Sequence, residues 1–585
     1  MRKVVMGLSL SMAATAVTAG TINGQVLSPE GLPVSGAMIS ISSSDSEIRK
    51  TGFTDTDGNF QLVHEFEGSL PIRVRTPFYA DYSQTITQQG DHVMDINFTL
   101  EREKNDREKT ESLPASAHAA MLDWTGVEDA HEAFVSQCNY CHQIGNSLTR
   151  TRRDAGAWLQ TINRMEGYIS MLTDDEAQRI AQVLAEGFDG QMIDSVKTYE
   201  DHDQLSQTVI EEWFAGDGLS FIHDADVASN GKFYGADEGH DIIWELDPIT
   251  GKIVEYPLPD IDMPVGGYFS GLELPLGIFT GKHGPHSMVE DKRTNKLWIT
   301  NSLSSYLISF DIHTKQFEMF DIGEDTRYLH TIRIDDDGIL WFTVAASNQV
   351  VRFDPISKEK EIIDLPSNGW KRWMTDAFLP TVLDLAANFK DWDIYPNWSH
   401  HKTMQIGREV LTMPYGLDVH PTTGQIWYSK LDAHKIGVID PDTLDIEEFD
   451  TPLKGPRRPR FDTYGNLWIP SFEEGALMKF DSATKKFSTY DIPTLADNQV
   501  ETPYALNIHP KTGEIWLTSN ASDRVFTFDP VTESFRAFPS PTRVTFLRDM
   551  VFTKEGKVCS SSSNLPAYAI EGGRPSFICF WQPNR

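Results

Sequence analysis

The chain has 585 residues, with 51 Lys and Arg against 85 Asp and Glu, a net charge of −34. That length exceeds one folding unit, so several domains are expected. The charge repels nucleic acid and anionic membrane surfaces, which excludes both as partners. At the start, Arg2 and Lys3 precede an apolar run from Val4 to Val17, and Val17-Thr18-Ala19 offers small residues. This pattern predicts a signal peptide over 1–19, cleaved after Ala19, and export to the periplasm; an uncleaved anchor is the other reading. No later stretch approaches the apolar length of a transmembrane helix, so no transmembrane segment is expected.

From 20 to 102 apolar positions alternate and are broken by turn residues: Ile22-x-Gly24-x-Val26, Gly31-Leu32-Pro33-Val34 and Thr54-Asp55-Thr56-Asp57-Gly58-Asn59-Phe60. Such alternation with Asp-Gly turns predicts a small antiparallel β-sandwich. The segment resembles the carboxypeptidase regulatory-like domain, which implies scaffolding or docking and no chemistry. The charged stretch 103–113 reads as a linker.

The period turns helical over 114–200, where two or three short helices are expected around Cys138-Asn139-Tyr140-Cys141-His142. Two thiols and an adjacent imidazole at this spacing are the attachment motif of one covalent haem c. Cys138 and Cys141 form the thioethers and His142 is the proximal iron ligand. Met165, Met171 and Met192 follow as candidates for the sixth ligand. The run Arg153, Trp158, Arg164-Met165 and then Leu172-Thr173-x-x-Glu176 resembles the haem domains of quinohaemoprotein amine dehydrogenases. That resemblance implies Met165.

An internal repeat fills 205–585. Second strands recur around Trp298, Trp341, Trp427, Trp468 and Trp516, each followed by a strand ending in Phe-Asp or Ile-Asp. Neighbouring tryptophans 41 to 48 residues apart fit the blades of a β-propeller. Seven blades are expected, with eight as the alternative, because 367–412 lacks strand and turn signals. The run 208–214 has the pattern of an outermost strand and precedes the first blade, so it is expected to complete the last. Cys559 and Cys579 then fall on neighbouring strands, as a disulfide or as a free buried pair.

Counting back 11 or 12 residues from each second-strand position reaches His223, His286, His330, Tyr415, Arg457, Tyr504 and Arg548. All seven are expected to begin innermost strands and to ring a central channel. Three imidazoles, two phenols and two guanidiniums suit a binding or catalytic pocket better than inert packing. Insertions at 259–283 and 367–412 fall on the same face. The second carries Trp370, Trp373, Trp392, Trp398, His400 and His401, as a lid or docking surface would. Loops between second and third strands offer Asp237, Glu238, Asp432, His434, Glu473 and Glu474 as metal ligands or bases.

With its Gly-Pro-His or Pro-Tyr blade starts and Leu-Trp-Phe-Thr second strands, the repeat resembles the virginiamycin B lyase (streptogramin lyase) family. That resemblance implies a seven-bladed propeller, a divalent metal such as magnesium and a histidine base, for which His286 and His330 are the candidates. Copper, as in the propellers of nitrous oxide reductases, is the alternative metal.

The expected protein is therefore multidomain and mainly β: a sandwich, a short α-helical cytochrome c domain and a propeller. Its expected activity is that of a periplasmic oxidoreductase. A small substrate, anionic if the arginines bind it, occupies the channel, and electrons pass to a redox partner protein or a quinone-linked carrier. A metal-dependent C–O lyase and a non-enzymatic electron-transfer or binding protein are the other readings.

Overall fold

The computed structural model describes residues 20–43, 47–166, 170–190, 192–197, 200–270, 280–389 and 408–582. The expected signal peptide lies outside them, as do Trp392, Trp398, His400 and His401.

The N-terminal unit packs two sheets. In one, Gly20–Leu27 lies antiparallel to Asn59–His64 and parallel to Val93–Asp95 and Phe98–Thr99. Asn59–His64 alternates outward Asn59, Gln61 and Val63 with inward Phe60, Leu62 and His64, the period of a half-buried strand. Ile22, Val26, Ile39, Ile41, Leu62, Leu70, Ile72 and Val74 make its core. The Asp55 carboxylate accepts from the amides of Asp57 and Asn59. Gly58 closes that turn at φ 75°, and a Cβ there would lie 2.7 Å from the Val26 carbonyl oxygen.

The second sheet of the sandwich does not end with the sandwich. Its edge strand Ile48–Phe53 pairs antiparallel with Val209–Phe214, which pairs on its other side with Ser576–Trp581. Eight strands, from Val551–Phe552 to Tyr82–Gln88, form one sheet across both units. The 208–214 run thus completes the last blade-like sheet, and its outer edge is covered by the sandwich.

The helical segment contains Ala115–Ala119, Glu128–Ala133 continuing as a π turn over Phe134–Cys138, Ala155–Glu166 and Asp174–Gly187. Apolar residues at helical spacing, among them Phe134, Trp158, Ile162, Ile180 and Leu184, share one core. Thr173 and Glu176 cap the last helix reciprocally. The stretch expected as a linker forms a short helix, Asp106–Glu111. Its alternating acidic and basic residues are good helix formers, and the Ser112 hydroxyl accepts from the Phe78 amide.

Four-stranded antiparallel sheets follow over 222–257, 285–321, 329–364, 414–450, 460–491 and 503–539, in the pattern of propeller blades. The repeated tryptophan is the wedge between them. Trp298 packs against Leu329 and Phe342 of the next sheet, Trp341 against Leu417, Trp427 against Leu467, and Trp468 against Leu506. Trp516 packs against Leu547 and Val558, and Phe577 packs against Ile222, so the last sheet meets the first. Asp335 and Asp462 in the preceding turns accept from the indole N–H of Trp341 and Trp468 at 2.9 Å. Cys559 and Cys579 face each other in register and are joined by a disulfide.

The insertion 367–412, which lacks the strand and turn signals of a blade, contains the helix Trp370–Phe389. Weak helix formers and an internal Pro380 obscure it in sequence. Trp370 and Trp373 are exposed on it.

Candidate functional site

Five of the innermost strands begin with a register shift. The slips fall at Ile222/Ala225, Pro285/Met288, Leu329/Ile332, Pro414/Leu417 and Pro503/Leu506. His223, His286, His330, Tyr415 and Tyr504 are therefore bulge residues, whose side chains leave the sheet pleat for the channel. Arg457 and Arg548 occupy the equivalent places just ahead of Arg460–Phe461 and Val551–Phe552.

A belt of hydroxyls fixes five of these seven positions. Thr300 donates to the His330 carbonyl, Thr343 to Tyr415, Ser429 to Arg457, Thr518 to Arg548, and Ser561 to His223. Each hydroxyl sits two residues after the second-strand aromatic or Cys559 and reaches into the next sheet. At Ala236 and Pro470 the same position has no hydroxyl to give.

The seven side chains come together. Ring centroids of His223 and His286 are 3.6 Å apart, His286 and His330 4.2 Å, and His330 and Tyr415 4.0 Å. The Tyr415 and Tyr504 hydroxyls are 2.7 Å apart, and the Tyr504 hydroxyl lies 3.3 Å from His223 Nε2. Arg457 donates to the Tyr415 hydroxyl at 3.3 Å and stacks 3.5 Å over Phe472. Arg548 donates to Ser563 at 2.7 Å and lies over Phe546 and Tyr504. Neither guanidinium has a carboxylate at ion-pair distance among the described residues, although both are buried. Buried arginines without a counter-charge suit an anionic ligand.

Burial, reinforced by neighbouring arginines and imidazoles, holds His223, His286 and His330 well below the usual histidine range, so all three are neutral. Among the described residues His286 has no hydrogen-bond partner on either ring nitrogen, and His330 has none on Nε2. Burial pushes Glu238 up to about 8 despite its bond from Ser302.

Several site residues carry no signal in the repeat. Arg458, fully buried, donates to Asp224 at 2.7 Å, and Asp224 in turn lies 3.0 Å from His223 Nδ1. Asp549 gathers Arg333, Arg458 and Arg460. Tyr328 stands at φ 66°, a left-handed backbone costly for an aromatic residue, and its ring meets His286 and His330 edge-on. Glycines hold the equivalent left-handed position two residues before His286 and Arg457, at Gly284 and Gly455.

The Cys-x-x-Cys-His segment lies against this ring. Arg457 sits 5.0 Å over the Tyr140 ring, and Tyr140 packs with Tyr415, Phe472, Tyr504 and Phe546. Leu565 donates to the Cys141 carbonyl, and Gln143 bonds Asp523 and the Thr545 carbonyl. Cys138 and Cys141 are free thiols. His142 Nδ1 lies 3.3 Å from the Gln143 carbonyl, which leaves Nε2 for a metal. Met165 is half-buried on its helix, and the Met171 amide donates to Gln137, next to Cys138. Two free thiols and an imidazole with Nε2 unengaged are the side chains that attachment of a covalent haem requires.

The acidic loop residues part company. Glu238 joins the ring, with ligand atoms of His223, His286 and Glu238 within 4.8 Å of one another. Asp237 instead holds the Phe221 amide and the Trp244 indole. Asp432, His434 and Glu473 line a cavity of about 500 Å³ with Glu132, Arg372, Arg408 and Lys454. Glu474 accepts from the Lys454 amide.

Residues 21–101 match the carboxypeptidase regulatory-like domain family. No curated protein matches the chain. Among solved structures it is similar to a streptogramin B lyase, at 15% identity and TM-score 0.46, over 63% of this chain and 97% of that one. It is similar to virginiamycin B lyase from Staphylococcus aureus at 13% identity and TM-score 0.45, over 64% and 99%. Hydrazine synthase from Kuenenia stuttgartiensis follows at 11% identity and TM-score 0.41, over 61% and 94%. The N-terminal unit is thus a carboxypeptidase regulatory-like domain, followed by helices and a propeller-like array of sheets.

Proposed function

We propose that this is an exported c-type haem protein. In this reading the sheets of 205–585 form a seven-bladed propeller, and 114–200 is a cytochrome c domain that holds one haem through Cys138, Cys141 and His142, with Met165 as sixth ligand. The protein is a periplasmic oxidoreductase whose small anionic substrate binds in the channel. The observation that carries the proposal is the contact of Tyr140, inside the attachment motif, with Arg457 and the channel tyrosines. A haem held there supplies a one-electron couple. Arg457 and Arg548 bind the anion, His330 accepts a proton on Nε2 as a neutral imidazole, and the Tyr415–Tyr504 pair links the two sides of the ring by hydrogen bonds. Electrons leave to a carrier protein or a quinone-linked carrier.

The test is spectroelectrochemistry of the haem-matured protein beside its Arg457→Gln variant. Loss of a cation next to the motif stabilises the oxidised form, so the midpoint potential falls by tens of millivolts, on the order of one kcal/mol. Equal potentials would disconnect the haem from the channel. A panel of small carboxylates and phosphates mixed anaerobically with the protein then separates chemistries. Haem reduction that Arg548→Gln abolishes supports the oxidoreductase; an unsaturated product formed with an unchanged haem spectrum favours a C–O lyase.

A further inference from the structure

We propose that His223, His286 and Glu238 bind a first-row transition metal of the zinc, iron or copper class at the channel wall. The proposal deepens the channel reading and does not depend on the haem. Three observations converge on it. The ligand atoms lie within 4.8 Å of one another and all three residues are buried. His286 is wholly buried with both ring nitrogens unpartnered among the described residues, an arrangement that costs free energy in a protein interior unless something accepts a bond from it or gives one. His223 is oriented from behind: its Nδ1 faces Asp224 at 3.0 Å, and Asp224 is fixed by Arg458 at 2.7 Å. A carboxylate behind a histidine sets its tautomer and points the other nitrogen at the metal.

Local structure delivers the donors. His223 and His286 occupy the same bulge position in consecutive sheets, which brings their rings to 3.6 Å between centroids. Glu238 follows the strand Phe233–Asp237, its amide donating to the Phe221 carbonyl at 2.8 Å and its carboxylate accepting from Ser302. Two imidazoles and one carboxylate select zinc, iron or copper over magnesium or calcium, which take oxygen ligands. Three protein ligands leave coordination positions free for water or substrate. Unpartnered His330 Nε2 and the Tyr504 hydroxyl stand beside that space.

The test is metal analysis by mass spectrometry of the haem-matured protein purified without chelators, with haem iron counted separately as the pyridine haemochrome. About one non-haem transition metal per chain is expected. Chelator-treated protein should bind one zinc ion by calorimetry, Glu238→Gln and His286→Ala should lose it, and Asp224→Asn should weaken it by about 10–100-fold. Haem content and the thermal melt show that each variant is folded, and His420→Ala, in an outer turn, should retain the metal. Absence of metal together with no zinc binding, metal retained by both ligand variants, or magnesium in its place would overturn the proposal. Loss of haem alone would count against the cytochrome reading and leave this one standing.

Discussion

Glu571 clamps the sandwich onto the last sheet, and Glu571→Gln should loosen it. Arg73 and Arg75, on the strand Gly68–Arg75, donate to its carboxylate at 2.6 to 2.9 Å, and the Arg543 amide adds a bond at 3.2 Å. Burial alone would raise this carboxyl, but the arginines outweigh it and bring it from 4.5 to about 2. That difference corresponds to roughly 3 kcal/mol. With the side chain 29% exposed, screening trims the expectation to about 2 kcal/mol. Because the folded value is depressed, the contribution is complete above the unfolded value near 4.5 and disappears as pH falls through about 2. Urea denaturation of wild type and variant at pH 7, and at steps below pH 5, measures the gap. The reasoning is refuted by equal midpoints at pH 7, or by a gap that does not narrow on acidification.

Other substitutions probe the helical segment and the ring. Met165→Ala should abolish the methionine–iron charge-transfer band of the oxidised haem while Met171→Ala keeps it; the reverse pattern would move the sixth ligand to Met171. Thr173→Ala removes the cap of Asp174–Gly187 and should cost about 1 kcal/mol, read from the thermal melt of the helical signal. Arg458→Met leaves Asp224 and Asp549 buried without the guanidinium they share. It should cost about 3 kcal/mol by denaturant unfolding, and a neutral effect would mean that Arg333 and Arg460 suffice for Asp549 and His223 for Asp224.

The blade spacing was legible because a large aromatic wedges most pairs of sheets, and the ring positions because they recur 11 or 12 residues before it. The offset could not reveal Arg458, one residue past the ring, since its partner Asp224 lies 234 residues away and only closure of the array unites them. Glu238 could be named as a candidate ligand but not chosen over Asp237, because both follow the same strand. Their difference is which one the Phe221 amide and the Trp244 indole capture. Tyr328 is not legible, because a left-handed aromatic has no sequence signature. The joining of sandwich to array escaped for a related reason: strands pair through backbone groups, which every residue carries.

That joining bears on the order of assembly. Val209–Phe214 is bonded on one edge by Ile48–Phe53 and on the other by Ser576–Trp581. A chain emerging from its N-terminus can complete the first pairing long before the second partner exists. The sandwich then holds a preformed strand as a template on which Ser576–Trp581 is received. The array stays an open arc until they arrive, and the same strand hides an edge that would otherwise recruit a second chain.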